Sequence, residues 1–263
     1  MKRRIVPLIL LLLCTILLTC ALTEHRRTLI AEANLLASYA PTKPWSPTLQ
    51  TAPDTEKPQP DVMLPDNPVD FAELQAKYPE VVAWIQVPNT KINYAVMQSA
   101  NDTPEDFYLD HNEAGEKKKY GSIYIQKYNT ADFSDPNTIL YGHNMASGSM
   151  FANVHKFKKK AFFEENEYLY IYMPGHVMTY RIYSIFTHNS RHLLWYYDFT
   201  TEEGRQKFID KTLNPNTSTK QVREGVIPTT DDRLVTLSTC VDGNNSDKRL
   251  LLVAVLVDDT PTK

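Results

Sequence analysis

A thiol, an imidazole and a guanidinium stand at the ends of three strand-like runs in this chain. Cys240 closes Arg233-Leu-Val-Thr-Leu-Ser-Thr-Cys240, His143 lies in Tyr141-Gly-His-Asn-Met145 after another apolar run, and Arg249 opens the run Leu250 to Val257. Nucleophile, proton carrier and fixed cation for an oxyanion are what thiolate-based acyl transfer needs. Cys240 has no disulfide partner outside the N-terminal apolar run, which holds the other two cysteines, Cys14 and Cys20. Exported domains normally use cysteine in pairs, so an unpaired thiol beyond such a run is either reactive or buried. Singly, each residue has a bland explanation: a small buried hydrophobe, a turn histidine, a surface arginine. Together they favour chemistry.

The elements that must position these groups read as mainly β. Strand-like runs cover Trp84 to Val87, Ile92 to Gln98, Gly121 to Gln126, Thr138 to Tyr141, Tyr168 to Met173, Val177 to Phe186, Leu234 to Thr239 and Leu250 to Val257. Their short connections predict mostly antiparallel pairing, with Pro174-Gly175 as a hairpin turn. A helix is predicted over Val69 to Tyr78, stopped by Pro79. A second, with Thr200 and Glu203 at capping-box spacing, buries Phe208, Ile209 and Leu213. Such a series with inserted helices favours a barrel, a sandwich being the alternative.

Ahead of this domain, Ile5 to Thr23 carries no charge. Nineteen helical residues span about 28 Å, a bilayer's hydrocarbon thickness. Lys2, Arg3 and Arg4 precede the run, so the predicted order is a cytoplasmic tail at 1–4, a transmembrane helix at 5–23 and an extracytoplasmic remainder. A cleaved signal peptide and a lipidated Cys20 are the alternatives. Glu24 to Ala40 reads as a helix continuing from the membrane. Pro41 to Pro68 holds eight of the 17 prolines and reads as a semi-rigid spacer. The catalytic domain is expected at 67–258, with a short tail at 259–263.

Beyond Thr23 the chain has 25 Lys and Arg against 31 Asp and Glu, a net charge of −6. That balance argues against nucleic-acid binding. The runs Lys117 to Lys119 and Lys158 to Lys160 read as solvated faces, with contact to anionic wall polymer as the alternative. His188 and His192 have metal-compatible helical spacing but no third ligand, and read as a surface loop. Trp195-Tyr196-Tyr197 reads as packing that could also wall a peptide groove.

Thr236-Leu-Ser-Thr-Cys240 with Arg249 downstream, and Asn137-Thr-Ile-Leu-Tyr-Gly-His143-Asn-Met upstream, resemble the signature segments of class B sortases. Lys119-Tyr-Gly-Ser-Ile-Tyr124, Gly148-Ser-Met-Phe151 and the helix around Phe208 extend the match over nearly all of Asn67 to Val257. The resemblance implies a closed β-barrel of about eight strands with inserted and N-terminal helices, tethered to the membrane of a Gram-positive cell. It implies an enzyme that cuts the C-terminal sorting signal of exported proteins, of Asn-Pro-x-Thr type, through a thioacyl intermediate. The acceptor would be an amine of peptidoglycan or its lipid-linked precursor, and neither a cofactor nor a metal is implied. By motif position Cys240 is the nucleophile, His143 the proton carrier and Arg249 the oxyanion and substrate-positioning residue. Leu109, Ser238 and Thr239 fall where the family lines its substrate groove. Val241 departs from relatives with a polar residue after the nucleophile.

Arg249 keeps its charge at any physiological pH, and a cation beside a thiol favours the thiolate. No acidic residue in the motifs is placed to orient His143. A pilin-polymerising sortase with a lysine acceptor is the nearest rival. A membrane-tethered binding module with an inert Cys240 is the rival from another class; a thiol-reactive probe on the folded domain separates it from an enzyme.

Overall fold

The computed structural model describes residues 5–46, 64–242 and 247–263. They form two compact units, one ending at Ala40 and one beginning at Pro41.

The first unit is one continuous helix, α1 (Ile5–Ser38), covering the uncharged run and the helix expected to continue from it. The side chains of residues 5–14, 16 and 17, most of the apolar run, lie outside the described residues. Among the described residues, no helix is long and apolar enough to cross a membrane.

The second unit opens with α2 (Phe71–Lys77), capped by the Asp70 carboxylate accepting from Glu73 N, an ordinary N-cap. Nine strands follow: β1 (Val81–Gln86), β2 (Asn93–Met97), β3 (Ile123–Ile125), β4 (Asn137–Tyr141), β5 (Tyr168–Met173), β6 (His176–Asn189), β7 (Lys220–Val222), β8 (Leu234–Cys240) and β9 (Lys248–Pro261). Between them lie α3 (Lys160–Glu165), α4 (Leu193–Tyr196) and α5 (Glu202–Leu213). The strands hydrogen-bond in the order β5-β1-β2-β3-β4-β8-β9-β6, and β6 pairs back onto β5. Eight strands thus close a barrel, and closure leaves no open edge among them. The β2–β3 and β4–β8 pairs are parallel and the rest antiparallel.

The β5–β6 hairpin turns on Pro174 and Gly175, as the sequence predicts, with Gly175 at φ 84°. Strand β7 is the one the sequence does not announce. Its three residues are exposed or half-buried, so they carry no apolar pattern.

Alternation along the strands divides the core. In β9, Leu250, Leu252 and Ala254 fill the barrel, while Leu251, Val253 and Val255 face an outer layer under α5. Burial on both faces explains why this strand reads as an unbroken apolar run. In β6 the inward set is Met178, Tyr180, Ile182 and then Ile185. The extra residue coincides with a register shift between Ile182 and Ser184, a bulge that re-aims the strand's second half. Helix α5 is capped by Thr201, whose hydroxyl accepts from Gly204 N at 3.1 Å, and not by Thr200. The Thr200 hydroxyl is instead taken by Asp198, so the capping box expected from spacing does not form.

Residues 47–63 of the proline-rich stretch lie outside the described residues, but its first residue lies against the barrel. The Pro41 carbonyl accepts from Gln86 Nε2 at 3.0 Å and from Asn93 Nδ2 at 3.3 Å. Gln86 is buried, so removing Pro41 strands a donor, at a cost of about 1–3 kcal/mol. A chain beginning at Asn67 is therefore expected to fold and cleave peptide, yet to melt about 3–8 °C below one beginning at Pro41. Scanning calorimetry of the two checks this, and equal melting temperatures would show that the contact contributes nothing.

Candidate active site

The parallel β4–β8 pair carries the site. Its register runs from Asn137↔Leu234 to Tyr141↔Ser238, so the His143 turn and the Cys240 terminus leave the barrel at the same end. Strand β9 lies on the other side of β8, with Arg249 directly opposite Cys240, and His188 of β6 directly opposite Arg249. Three strands thus deliver thiol, guanidinium and His188 in one row.

This row forms part of a groove of about 670 Å³. All six residues singled out from the sequence line it: Leu109, His143, Ser238, Thr239, Cys240 and Arg249. Cys240, His143 and Arg249 are half-buried, whereas Ser238 and Thr239 are buried in the wall and Leu109 is 39% exposed at the rim.

Two glycines set the backbone here. A Cβ on Gly142 would meet the Phe151 ring at 2.8 Å, so glycine lets the chain turn tightly over the core just before His143. Gly121 has φ 56°, and a Cβ there would collide with the carbonyl oxygens of Tyr108 and Leu109. That close approach matters because the Leu109 carbonyl accepts from His143 Nε2 at 2.8 Å. A backbone carbonyl thus orients the imidazole, where sequence inspection finds no carboxylate for the task. With Nε2 committed as a donor, proton exchange falls to Nδ1. Leu109 lies along this groove, and its main-chain contact with His143 is legible only in the fold.

Above Arg249 the groove wall carries two tyrosines. Burial pushes the hydroxyls of Tyr124 and Tyr141 well above the usual tyrosine range, and the Arg249 charge pulls in the opposite direction. Both stay neutral. Three buried polar atoms of the groove residues, Tyr141 OH, Thr239 Oγ1 and His192 Nδ1, have no hydrogen-bond partner among the described residues. Such atoms are costly in a closed wall and cheap in one that receives a peptide.

Several side chains escape sequence reasoning. His188 is not in a surface loop. It is buried in β6, with Nε2 3.3 Å from the Tyr197 hydroxyl, and burial holds its pKa below the ordinary histidine value. His192 caps α4 and donates from Nε2 to Gln126 Oε1 at 2.6 Å, so the two histidines serve different partners. Among the described residues, no cluster of His, Cys, Asp or Glu could hold a metal ion. Of Trp195-Tyr196-Tyr197 only Tyr197 is core. Trp195 is 71% exposed and stacks on His192 with ring centroids 4.6 Å apart. Lys117 and Lys118 pair with Asp110 and Glu116, which reduces the apparent basic patch.

A family model described as the sortase domain matches residues 85–257. The sortase B of Listeria monocytogenes is 31% identical over 187 residues, 70% of this chain and 72% of the relative. Among solved structures, the Clostridium perfringens sortase B is 32% identical with a TM-score of 0.62, matching 71% of this chain and 99% of its own. A Staphylococcus aureus sortase B–substrate complex is 26% identical with a TM-score of 0.62, matching 72% and 84%. The shared barrel, the matched domain and the relatives' common class lead to one conclusion: this chain belongs to the sortase family, as a class B cysteine transpeptidase.

Proposed function

We propose that this transpeptidase cleaves an Asn-Pro-x-Thr type of sorting signal on exported proteins and joins them to an amine of peptidoglycan or its lipid-linked precursor. The observation that carries the reading is the single groove in which Cys240 and Arg249 face each other across a β ladder beside His143. In the first half-reaction the Cys240 thiolate attacks the threonine carbonyl carbon, and Arg249 holds the oxyanion. Collapse breaks the peptide C–N bond while imidazolium His143 gives its proton to the departing amine. In the second half an acceptor amine attacks the thioacyl carbon, yields its proton to His143 and releases the thiolate. Ser238, Thr239 and Leu109 line the path of the signal. The complex of the S. aureus relative with its substrate supports a peptide-binding groove on this barrel.

A tether completes the proposal. The uncharged run Ile5 to Thr23 after Lys2, Arg3 and Arg4 supports a single membrane pass with the barrel outside the cell.

The test is a pentapeptide library with triglycine as acceptor, read by mass spectrometry. We expect cleavage after threonine in Asn-Pro-x-Thr peptides and a triglycine adduct on that threonine. Cleavage indifferent to the Asn and Pro positions would overturn the signal assignment. Transfer only to a lysine side chain would favour polymerisation of pilins.

A further inference from the structure

The β4–β8 ladder stops just short of the thiol. Gly142 N donates to Ser238 O at 3.3 Å, and the next β8 carbonyl on that side belongs to Cys240, since carbonyls alternate along a strand. The chain has by then left the sheet to place His143, and the loop folds back so that Phe151 N donates to His143 O at 2.9 Å. Two side chains take over from the ladder. Asn144 Nδ2 donates to the Cys240 carbonyl at 3.2 Å and His155 Nε2 donates to it at 3.0 Å.

Both donors are fixed independently of Cys240. Asn144 bridges to Met150 across the His143 loop. His155 projects from the 3-10 helix Phe151–Lys158, anchored in the core by Phe151, Val154 and Phe157. Burial lowers the pKa of His155, with Lys158 acting in the same direction and the hydrogen bond to the Cys240 carbonyl, then Asp242, against it. The neutral ring has a single N–H, and the contact commits it to the carbonyl.

We infer that His155 and Asn144 are positioning residues, which together lock the peptide plane of Cys240 and so the direction in which its sulfur leaves the strand. The inference rests on reading Cys240 as the nucleophile. Neither side chain need touch substrate; they act through the backbone. After Cys240 the chain enters the β8–β9 connection, so this carbonyl is the last point at which β8 can be held from the β4 side. Attack geometry is unforgiving, since a misplacement of about 1 Å can cost on the order of 10²-fold in rate. Because the donors share one acceptor, each partly covers loss of the other, and their effects should not be additive.

Peptide cleavage by the full chain tests this in His155→Ala, Asn144→Ala and the double variant. Each single change should lower kcat by about threefold to tenfold, as expected for one neutral hydrogen bond. The double change should lower kcat by about 100-fold or more, beyond the product of the singles, with KM unchanged within about twofold. His155→Gln, whose amide can donate to the same carbonyl, should recover most of the activity, and His155→Leu should not. A double variant with native near-ultraviolet dichroism and wild-type kcat, or a change in KM alone, overturns the inference. If the double variant does not fold, equal kcat for His155→Gln and His155→Leu overturns it equally. Cys240→Ala runs alongside: activity there would refute the nucleophile itself, whereas an inactive Cys240→Ala beside an unaffected double variant refutes only the positioning.

Discussion

Cys240→Ala is expected to give a folded barrel that neither cleaves nor transfers peptide, with rates reduced by about 10⁶-fold, as when a covalent nucleophile is removed elsewhere. The substitution deletes one sulfur at a half-buried strand end. The carbonyl that Asn144 and His155 grip is a backbone atom and remains. The rungs to Arg249 are also main-chain, so the β8–β9 register should persist. Peptide turnover and a melting curve check the two parts of this expectation. Undiminished cleavage by the folded variant would end the thiol mechanism.

Arg249→Ala should cost about 10²–10³-fold in kcat, the range seen when a donor aimed at an oxyanion is lost. The alanine variant keeps the strand, because the neighbours Leu250 and Leu251 remain fully packed on the two faces of β9. Arg249→Lys should recover only part of that loss. An ammonium preserves the charge but not the planar pair of N–H groups that can hold two acceptors at once. Initial rates on equally folded proteins with one peptide decide the matter. Full recovery with lysine would make Arg249 a point charge, and an unimpaired alanine variant would hand the oxyanion to backbone N–H groups.

The eight barrel strands were legible because each has an apolar run of strand length with clear breaks. Strand β7 was not, since three residues without a buried face carry no pattern. Helix α5 was legible from Phe208 and Ile209, but its cap slipped by one residue: two threonines stand side by side, and Asp198 claims the first. Parallel pairing of β4 with β8 is invisible to connection lengths, because the two strands lie almost 100 residues apart in the chain and meet only when the barrel closes. In the site, the six residues singled out from the sequence all line one groove; five of them stand at or beside strand ends, where short motifs are readable, and Leu109 stands in a 3-10 turn. The supporting contacts were hidden for a common reason. Leu109 O receives His143, and Cys240 O receives Asn144 and His155. Main-chain acceptors are the same in every residue, so nothing in the sequence marks which carbonyl a side chain will find. His188 misled because its polar neighbours Asn189 and Arg191 read as a surface loop, while the residue is the last but one of a 14-residue strand.

That long-range parallel pair also fixes when reactivity can arise. Hairpins such as β5–β6 and β8–β9 close short loops and can form early, whereas joining β4 to β8 requires a much larger loss of chain entropy. Cys240 and Arg249 can therefore meet within one hairpin, but His143 joins them only once the barrel is shut. An unfinished chain carries an ordinary cysteine, and acquires a catalytic one at the same moment as it acquires a complete core.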